Sequence, residues 1–509
     1  MSPMFLLLSV FTTAQTTGPV DGHPMRFLVA RIVATDKATE PWVGTALETG
    51  LAWHLRRHPL IDAVPIPWRD RAMRDAGYLP AAPNMQLADA KRLAKLLGVG
   101  SLVTGTCRTE LTQLVVELQV HDMHTEQTQR CVATGKDVRE LLADAVARLV
   151  AMCVPPIRPP QSVAANMPAY SRSASAIEYY AKALRGHQTE QLGRVPFYCA
   201  QALQSDGKFR DAMILLALHE VRQGNVANAI RRFQQVVRDA QLADDRVDLA
   251  RAQGNLGWLY RQLGRHEVAQ RYLELAADTA RQADDPYNLA TALNNLAQLA
   301  GSADQPQQAV QHLRARQQLL TQLGDQLGTA PNLVFLGTVY EQLEQYDEAL
   351  ATYQQAIEWI HKAGPAAALP EALSHLASAY EHLKQADLAI ENYRKSLQLS
   401  DPTDPVRILC NNSLGLIYQK QNDYDLALEA FGQALEGLTR SGDGQARAIC
   451  LSNIAMVYEE RGQWPQAIEN LNQAVNILRG LQHPQLAQYE ALLNEMRSKS
   501  ASATDAANR

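Results

Sequence analysis

The sequence predicts an α+β protein in which a small α/β domain precedes an all-α solenoid of stacked helix pairs. Strand-like and helix-like segments alternate through residues 25–155, whereas residues 176–480 repeat themselves with a period close to 40 residues. A proline-rich stretch, residues 156–175, separates the two regions and predicts a semi-rigid linker. A fixed period of this size is typical of repeat architectures, in which each unit buries its apolar face against its neighbours.

The first residues contain a short apolar run, Met4–Phe11, followed by the small residues Thr12 and Ala14. This order is typical of a cleaved secretory signal, so we expect residues 1–24 to be a signal peptide and leader of a periplasmic or secreted protein. Because no Lys or Arg precedes the run, a cytoplasmic protein is the alternative. The run is too short to span a bilayer, and no later stretch predicts a transmembrane helix.

Residues 25–155 predict the element order β-α-β-α-β-β-β-α. Val43, Leu47 and Leu51 recur every four residues and indicate an amphipathic helix, and Leu114 to Val120 alternates apolar and polar residues as a half-buried strand does. The predicted elements are, in order, strand 26–34, helix 41–58, strand 63–67, helix 88–97, strands 101–110, 111–122 and 127–134, and helix 138–154.

Two segments of this domain, VGTALETGLAWHLRRHPLIDAVPI and LAKLLGVGSLVTGTCRTELTQLVVELQVHD, resemble the amino-terminal domain of TolB and the TolB-like modules that precede helical repeats in many bacterial proteins. The shared motifs determine the fold and are not catalytic. The resemblance implies an interaction module, periplasmic in TolB and also found in cytoplasmic signalling proteins.

The six cysteines form no CxxC pair and show no Cys/His spacing of a zinc site. We expect buried, unreactive thiols, and a disulfide between Cys107 and Cys131, which fall in one predicted sheet, is the alternative. His121 and His124 are spaced weakly for a metal, and a solvated loop is the simpler interpretation. We predict neither a metal nor another cofactor.

The solenoid is predicted from seven alanines spaced 40, 40, 40, 40, 38 and 40 residues apart: Ala229, Ala269, Ala309, Ala349, Ala389, Ala427 and Ala467. The pattern L-G/A-x-x-Y…A-x-x-x-F-x-x-A recurs around these alanines. It is clearest at Leu336, Gly337, Tyr340, Ala349 and Tyr353. This pattern resembles the tetratricopeptide repeat. The resemblance implies about eight repeats over residues 176–480 in a right-handed superhelix, a capping helix over 481–499 and a polar tail over 500–509.

Three repeats depart from the pattern. A degenerate first repeat is expected around Tyr179, Cys199 and Ala202. The second has Glu220 in place of the tyrosine, and the Ala309 repeat has Ala300 in its place and Arg316 at the last small position. We expect the packing of the Ala309 repeat to depart furthest from the pattern, because small residues at such positions let paired helices approach closely.

In this family, one side of each repeat's first helix lines a concave groove. This groove face carries the residues two before and two after the marked leucine. Carboxamides there both donate to C=O and accept from N–H, as a bound peptide requires, and glutamates at the rim favour a basic partner. Ordinary solvated polar residues are the alternative interpretation. The candidate groove residues are Asn294, Gln298, Thr338, Glu341, Ser378, Glu381, Asn412 and Gln419.

Composition narrows the function further. The net charge of −5 provides no basic footprint for nucleic acid, and the sequence contains no phosphate-binding loop, nucleophile elbow, HExxH or calcium-loop motif. The sequence therefore predicts a non-enzymatic scaffold that binds a peptide or protein segment at the bacterial cell envelope. A cytoplasmic regulatory sensor is the alternative, and the partner and the oligomeric state stay open.

Overall fold

The computed structural model describes residues 25–58, 61–78, 85–153, 170–189, 191–363 and 366–507. These ranges confirm an α/β region followed by consecutive helix pairs. The chain divides into two compact units between Gly328 and Thr329, here the amino-terminal unit and the carboxy-terminal unit. The division does not fall at the expected linker, because the α/β region packs with the first helix pairs. The expected leader, 1–24, lies outside the described residues, as does most of the expected linker.

The α/β region is built on a sheet whose strands are β1 Met25–Ala34, β2 Ile61–Ala63, β3 Ser101–Glu110, β4 Gln113–Asp122 and β5 Thr128–Gly135. The five strands are arranged in the order β2-β1-β3-β4-β5. Strand β1 is parallel to β2 and β3, whereas β3–β4 and β4–β5 are antiparallel. The sheet core is apolar, with Val103, Val116 and Ala133 fully buried on neighbouring strands.

Four helices accompany the sheet in the described residues: α1 Trp42–Leu55, α2 Ile66–Asp75, α3 Leu87–Leu96 and α4 Val138–Cys153. Helix α2 was not expected, because a strand was predicted over residues 63–67. The strand ends at Ala63, and Pro67 lies in the first turn of the helix, where proline is tolerated because its missing N–H has no partner to lose. The buried side of helix α2 is charged, because Arg69 is buried and forms salt bridges with Glu48 and Asp70.

Helix pairs follow, each a repeat. In the amino-terminal unit, α5 Ala174–Gln188 and α6 Val195–Ser205 form repeat 1, which confirms a helix pair at the degenerate first position. The following pairs are α7 Arg210–Arg222 with α8 Val226–Leu242, α9 Arg246–Gln262 with α10 His266–Gln282, α11 Pro286–Ser302 with α12 Pro306–Gln322, α13 Gln326–Gln342 with α14 Tyr346–Ala363, α15 Leu369–His382 with α16 Ala386–Leu399, α17 Val406–Lys420 with α18 Tyr424–Ser441, and α19 Gly444–Glu460 with α20 Trp464–Gly480.

The alanines that mark the period are packing residues. All seven, from Ala229 to Ala467, have no exposed surface. The glycines of the pattern act in the same way: a Cβ on Gly415 would lie 2.6 Å from the ring of Phe431 in the paired helix. Small residues are thus required at these positions because the helices approach more closely than a larger side chain would permit.

Two of the departures from the pattern are buried charged residues. Glu220, in place of a tyrosine, is buried and accepts a hydrogen bond of 2.9 Å from Nε of Arg232 on the paired helix. Arg316, in place of a small residue, is only 3% exposed. Burial, with a further contribution from the nearby Arg71, lowers the pKa of the Arg316 guanidinium to about 10.

The disulfide given as the alternative is wrong, because Cys107 and Cys131 are free. They lie opposite Val116 and Leu118 of β4, on the strands that flank it, so about 10 Å of sheet separates them, beyond the reach of a disulfide. The last helix, α21, runs Leu486–Ala507, so residues 500–507 continue the capping helix where a polar tail was expected. The alanine-rich sequence there favours helix.

Candidate functional site

Three consecutive repeats begin with an aspartate, again at intervals of 40 residues. Asp245, Asp285 and Asp325 directly precede α9, α11 and α13. In each, carboxylate oxygen Oδ1 accepts a hydrogen bond from a backbone N–H in the first turn, at 3.1 Å from Asp248, 3.2 Å from Asn288 and 2.9 Å from Gly328. Each aspartate is thus an N-cap; together they are the cap aspartates.

The second oxygen of each cap aspartate binds the α/β region. Oδ2 of Asp245 lies 2.9 Å from Nη2 of Arg57, and Oδ2 of Asp285 lies 2.8 Å from Nη2 of Arg56. Oδ2 of Asp325 accepts a hydrogen bond of 3.0 Å from the Trp68 indole. The α/β region is therefore bound to the starts of three successive repeats by groups that also cap their helices.

The first of these contacts extends into a buried charge cluster. Arg57 also lies 3.0 Å from Asp248, whose side chain is only 3% exposed. Burial alone would raise the pKa of the Asp248 carboxyl, but the guanidinium groups of Arg57, Arg251 and Arg210 outweigh burial and hold that pKa far below its usual range. Charges paired this closely away from water interact strongly and resist screening by salt.

Close packing accompanies the polar contacts. Trp68 and Tyr287 pack edge to face, with ring centroids 5.3 Å apart, and Arg26 donates a hydrogen bond of 2.8 Å to the Tyr287 hydroxyl. Gly98 has a φ of +61°, and its backbone meets that of Gly324 so closely that a Cβ on Gly98 would lie 2.8 Å from the Gly324 Cα. Glycine is required there both for the left-handed conformation and for the approach.

Sequence reasoning missed this contact. Asp before a helix is an ordinary capping residue, and Arg56 and Arg57 at the end of a predicted helix are typical of a solvated surface. The signal that was available is the spacing, because the aspartates repeat with the same 40-residue interval as the packing alanines.

The candidate groove residues of the amino-terminal unit lie on α11. Asn294 and Gln298 are half-buried, and Thr291, one turn earlier on the same side, is exposed. Tyr287, at the start of that side, is covered and only 2% exposed. The α/β region therefore covers the amino-terminal end of this groove face, and the face is open from Thr291 onwards.

Several candidates of the carboxy-terminal unit are held within their own helices or repeats. The Thr338 hydroxyl donates a 2.8 Å hydrogen bond to the backbone oxygen of Phe335. Glu341 accepts a 2.8 Å hydrogen bond from the hydroxyl of Tyr353 on the paired helix. Burial and the Glu341 carboxylate both raise the pKa of Tyr353 well above its usual value. Ser378 is half-buried on the groove face of α15.

Asn412 and Gln419 instead connect neighbouring repeats. Asn453 Nδ2 lies 3.4 Å from Asn412 Oδ1, and Gln419 Nε2 donates a 2.9 Å hydrogen bond to Glu460. The sequence analysis considered only residues two before and two after each marked residue. It therefore missed Asn453, which lies one residue before the marked Ile454. The structure thus brings two carboxamides of repeats 7 and 8 together on the groove face.

The rim of the carboxy-terminal unit carries both signs of charge. Glu381 lies 3.3 Å from Lys420 of the next repeat, and Glu459 lies 3.0 Å from Lys499 of the capping helix. Lys420 and Lys499 keep 70% and 50% of their side chains exposed. The glutamates expected to form an acidic rim are therefore paired within the molecule.

The described residues contain no helix that is long and apolar enough to cross a membrane. Within the same residues no group of three or more His, Cys, Asp or Glu side chains is placed to hold a metal ion. The solvated loop expected there is wrong for His121, which lies buried on β4 with its two ring nitrogens 2.9 Å from the hydroxyls of Thr104 and Thr128.

These paired, stacked helices define a helical-repeat protein. The family model of the tetratricopeptide repeat matches residues 208–282, 288–360, 368–440 and 406–480, which together are just over half of the chain. The chain therefore belongs to the tetratricopeptide repeat family. Proteins of this family generally mediate protein–protein interactions, and the matched repeats indicate no enzyme family.

Solved structures with similar folds include BtubC from P. vanneervenii, with 19% identity over 44% of this chain and 90% of that one, at a TM-score of 0.37. The apo form of RapI has 14% identity over 64% of this chain and 91% of that one, at 0.49. A signal-transduction ATPase with a tetratricopeptide repeat sensor, PH0952 from Pyrococcus horikoshii, has 14% identity and a TM-score of 0.39. The match covers 71% of this chain and 52% of that one. No curated protein sequence matches the chain.

Proposed function

We propose that this protein is a non-enzymatic scaffold whose groove face binds an extended or helical segment of a protein partner. The observation that carries the proposal is the pair of carboxamides, Asn412 and Asn453, on neighbouring first helices. A carboxamide has both a donor and an acceptor, so such a pair suits the peptide backbone of any sequence. Ser378 and Gln419 are further polar residues of the groove face in the carboxy-terminal unit. Asn294 and Gln298 are the corresponding polar residues in the amino-terminal unit.

The α/β region supports a scaffold rather than a catalyst. Among its side chains, Arg26, Arg56, Arg57 and Trp68 are engaged in binding the repeats. Burial raises the pKa of the Cys107 thiol to about 12, and a thiol that stays protonated is a poor nucleophile. With a net charge of −5, nucleic acid is not proposed as a partner.

The proposed location is the bacterial cell envelope. Its support is the apolar run at the amino terminus and the resemblance of the α/β region to TolB-like modules. A cytoplasmic regulatory protein is the second candidate, since the same module resemblance fits signalling proteins. Amino-terminal sequencing of the protein from its source cells separates the two: a terminus after Ala14 supports export, and an intact Met1 in the cytoplasmic fraction supports the second candidate.

Binding is tested by removing the two carboxamides. The variant Asn412→Ala/Asn453→Ala is compared with Asn470→Ala, which changes a half-buried residue of α20 whose Nδ2 donates a hydrogen bond to the backbone oxygen of Gln466 on the same helix. Partner capture from source cells, quantified by mass spectrometry, is expected to fall in the double variant and to stay unchanged in Asn470→Ala. Equal capture by both variants would refute a groove-bound partner.

A further inference from the structure

The groove face of the carboxy-terminal unit changes character along the repeats. On α15 it presents Glu371, His375 and Ser378, which are polar. On α17 and α19 it presents large apolar side chains that are substantially exposed: Leu409 is 48%, Ile449 41% and Met456 42% exposed. Residues three, four and seven apart share one side of a helix, which places these three beside Asn412 and Asn453.

The two carboxamides within this apolar patch leave complementary groups unused. The side-chain nitrogen of Asn453 donates to Oδ1 of Asn412. The other two atoms of the pair, Nδ2 of Asn412 and Oδ1 of Asn453, make no hydrogen bond within the described residues. One free donor beside one free acceptor matches the C=O and N–H of a bound backbone. Apolar side chains on both helices then face the side chains of that backbone.

Charge selects against a strongly charged occupant. The patch of Leu409, Asn412, Leu416, Ile449, Asn453 and Met456 carries no ionisable group. The rim carboxylates of Glu381 and Glu459 are paired with Lys420 and Lys499, so these two carboxylates offer little attraction for a basic segment. An uncharged, apolar segment is the best electrostatic match, because it leaves these internal pairs intact.

We propose that repeats 7 and 8 bind a segment of a partner protein rich in uncharged apolar side chains, its backbone held by Asn412 and Asn453 and its side chains by Leu409, Ile449 and Met456. This inference rests on the proposed function and replaces the basic partner expected from the rim glutamates. Burying one such side chain is expected to change the affinity about tenfold or more.

The test pans a random peptide library displayed on phage against the immobilised full chain. Selected peptides are expected to be rich in Leu, Ile, Met and Phe without surplus Lys or Arg. The affinity of one synthesised peptide, measured by fluorescence polarisation, is expected to fall about tenfold or more in Ile449→Glu. The control Leu388→Glu, on the second helix of repeat 6 and 39% exposed, is expected to bind normally.

The dependence of affinity on salt concentration distinguishes apolar binding from the binding of a basic peptide. The affinity of the apolar peptide is expected to change less than about twofold between about 0.1 M and about 0.5 M salt, because no exposed charge pair contributes. Selection of Lys- and Arg-rich peptides with a steep loss of affinity in salt would overturn the inference. A peptide sensitive to Asn412→Ala/Asn453→Ala but not to Ile449→Glu would also overturn it and leave the proposed function standing, whereas insensitivity to both changes would refute the two together.

Discussion

Arg56 Nη2 lies 2.8 Å from Oδ2 of Asp285, although 229 residues separate them in the chain. The other oxygen of Asp285 caps helix α11, so one carboxylate serves both a helix and a contact between the α/β region and the repeats. Asp245 and Asp325 likewise use one carboxylate oxygen to cap a helix and the other to bind the α/β region. The contact is therefore periodic because the repeat is periodic.

Removing one partner of a buried pair should be costly. Arg57→Ala removes one guanidinium from Asp245 and Asp248, which keep Arg210 and Arg251 as partners, and we expect a loss of about 1.5–3 kcal/mol in the unfolding free energy of the amino-terminal unit. Arg148→Ala breaks an Arg–Asp pair of similar geometry that is half-exposed, with 51% of the arginine side chain accessible, and should cost less than about 1 kcal/mol. Urea unfolding followed by tryptophan fluorescence measures both, and equal losses would contradict the buried contact.

A double-mutant cycle isolates the Arg56–Asp285 pair. Asp285→Asn keeps an N-cap, because asparagine caps about as well as aspartate, but it removes the charge. We expect the double variant Arg56→Met/Asp285→Asn to be more stable than the sum of the two single losses predicts, with a coupling of about 0.5–3 kcal/mol. Strict additivity in thermal or urea unfolding would show that the two side chains do not interact.

Gly98 should tolerate no side chain. Gly98→Ala forces a Cβ against the backbone of Leu323 and Gly324 at a φ of +61°, so it carries both backbone strain and a clash. Gly77→Ala has a similar φ of +83° with nothing within 4 Å, so it carries strain alone. The loss of unfolding free energy should be clearly larger for Gly98→Ala, by about 1–3 kcal/mol, and comparable melting temperatures would argue against the close approach.

Two helical glycines of the carboxy-terminal unit should respond with opposite signs. Gly415→Ala places a Cβ 2.6 Å from Phe431 and should destabilise by about 1–3 kcal/mol. Gly432→Ala places a Cβ where nothing lies within 4 Å and should stabilise by about 0.5–1 kcal/mol, since alanine favours helix. Urea midpoints provide the measurement, and stabilisation by both changes would show that the seam between α17 and α18 is loose.

Acid should weaken the amino-terminal unit through His54. Burial, with a smaller contribution from the nearby Arg57, lowers the pKa of His54 to about 4. The unfolded chain then binds a proton below about pH 6.5 that the folded chain does not, so stability is lost as pH falls from about 6.5 towards 4. At about pH 5 the loss is about 2 kcal/mol.

Other buried histidines also titrate, so the comparison with His54→Asn isolates this one. Asparagine can keep the donor that bonds to the Gly50 carbonyl oxygen, at 2.7 Å from Nδ1, and does not titrate. The variant should lose less stability than the native protein between about pH 7 and about pH 5. Identical pH profiles would place the acid sensitivity elsewhere.

The sequence predicted the elements whose cause is local. Strand β3 has the predicted bounds, Ser101–Glu110. The packing alanines were recognisable because every repeat places the same demand on the same position. The resemblance to TolB-like modules stays a prediction.

Interactions between distant segments were out of reach. Helix α2 depends on Arg69, which looks solvated in sequence and is buried by partners that include Glu48, 21 residues away. The cap aspartates look like ordinary capping residues until Arg56, Arg57 and Trp68 are seen beside them. The rim glutamates likewise looked free, since their lysine partners are 39 and 40 residues away.

The central claim is that partners bind the groove face of the repeats, and site-specific photo-crosslinking in source cells tests it most directly. A photoreactive benzoylphenylalanine replaces Met456 on the groove face or Leu426 on the second helix of repeat 7, and both native residues are 42% exposed. We predict a discrete crosslinked partner from position 456 and none from position 426. Crosslinking from position 426 alone, or equally from both positions, would contradict the account.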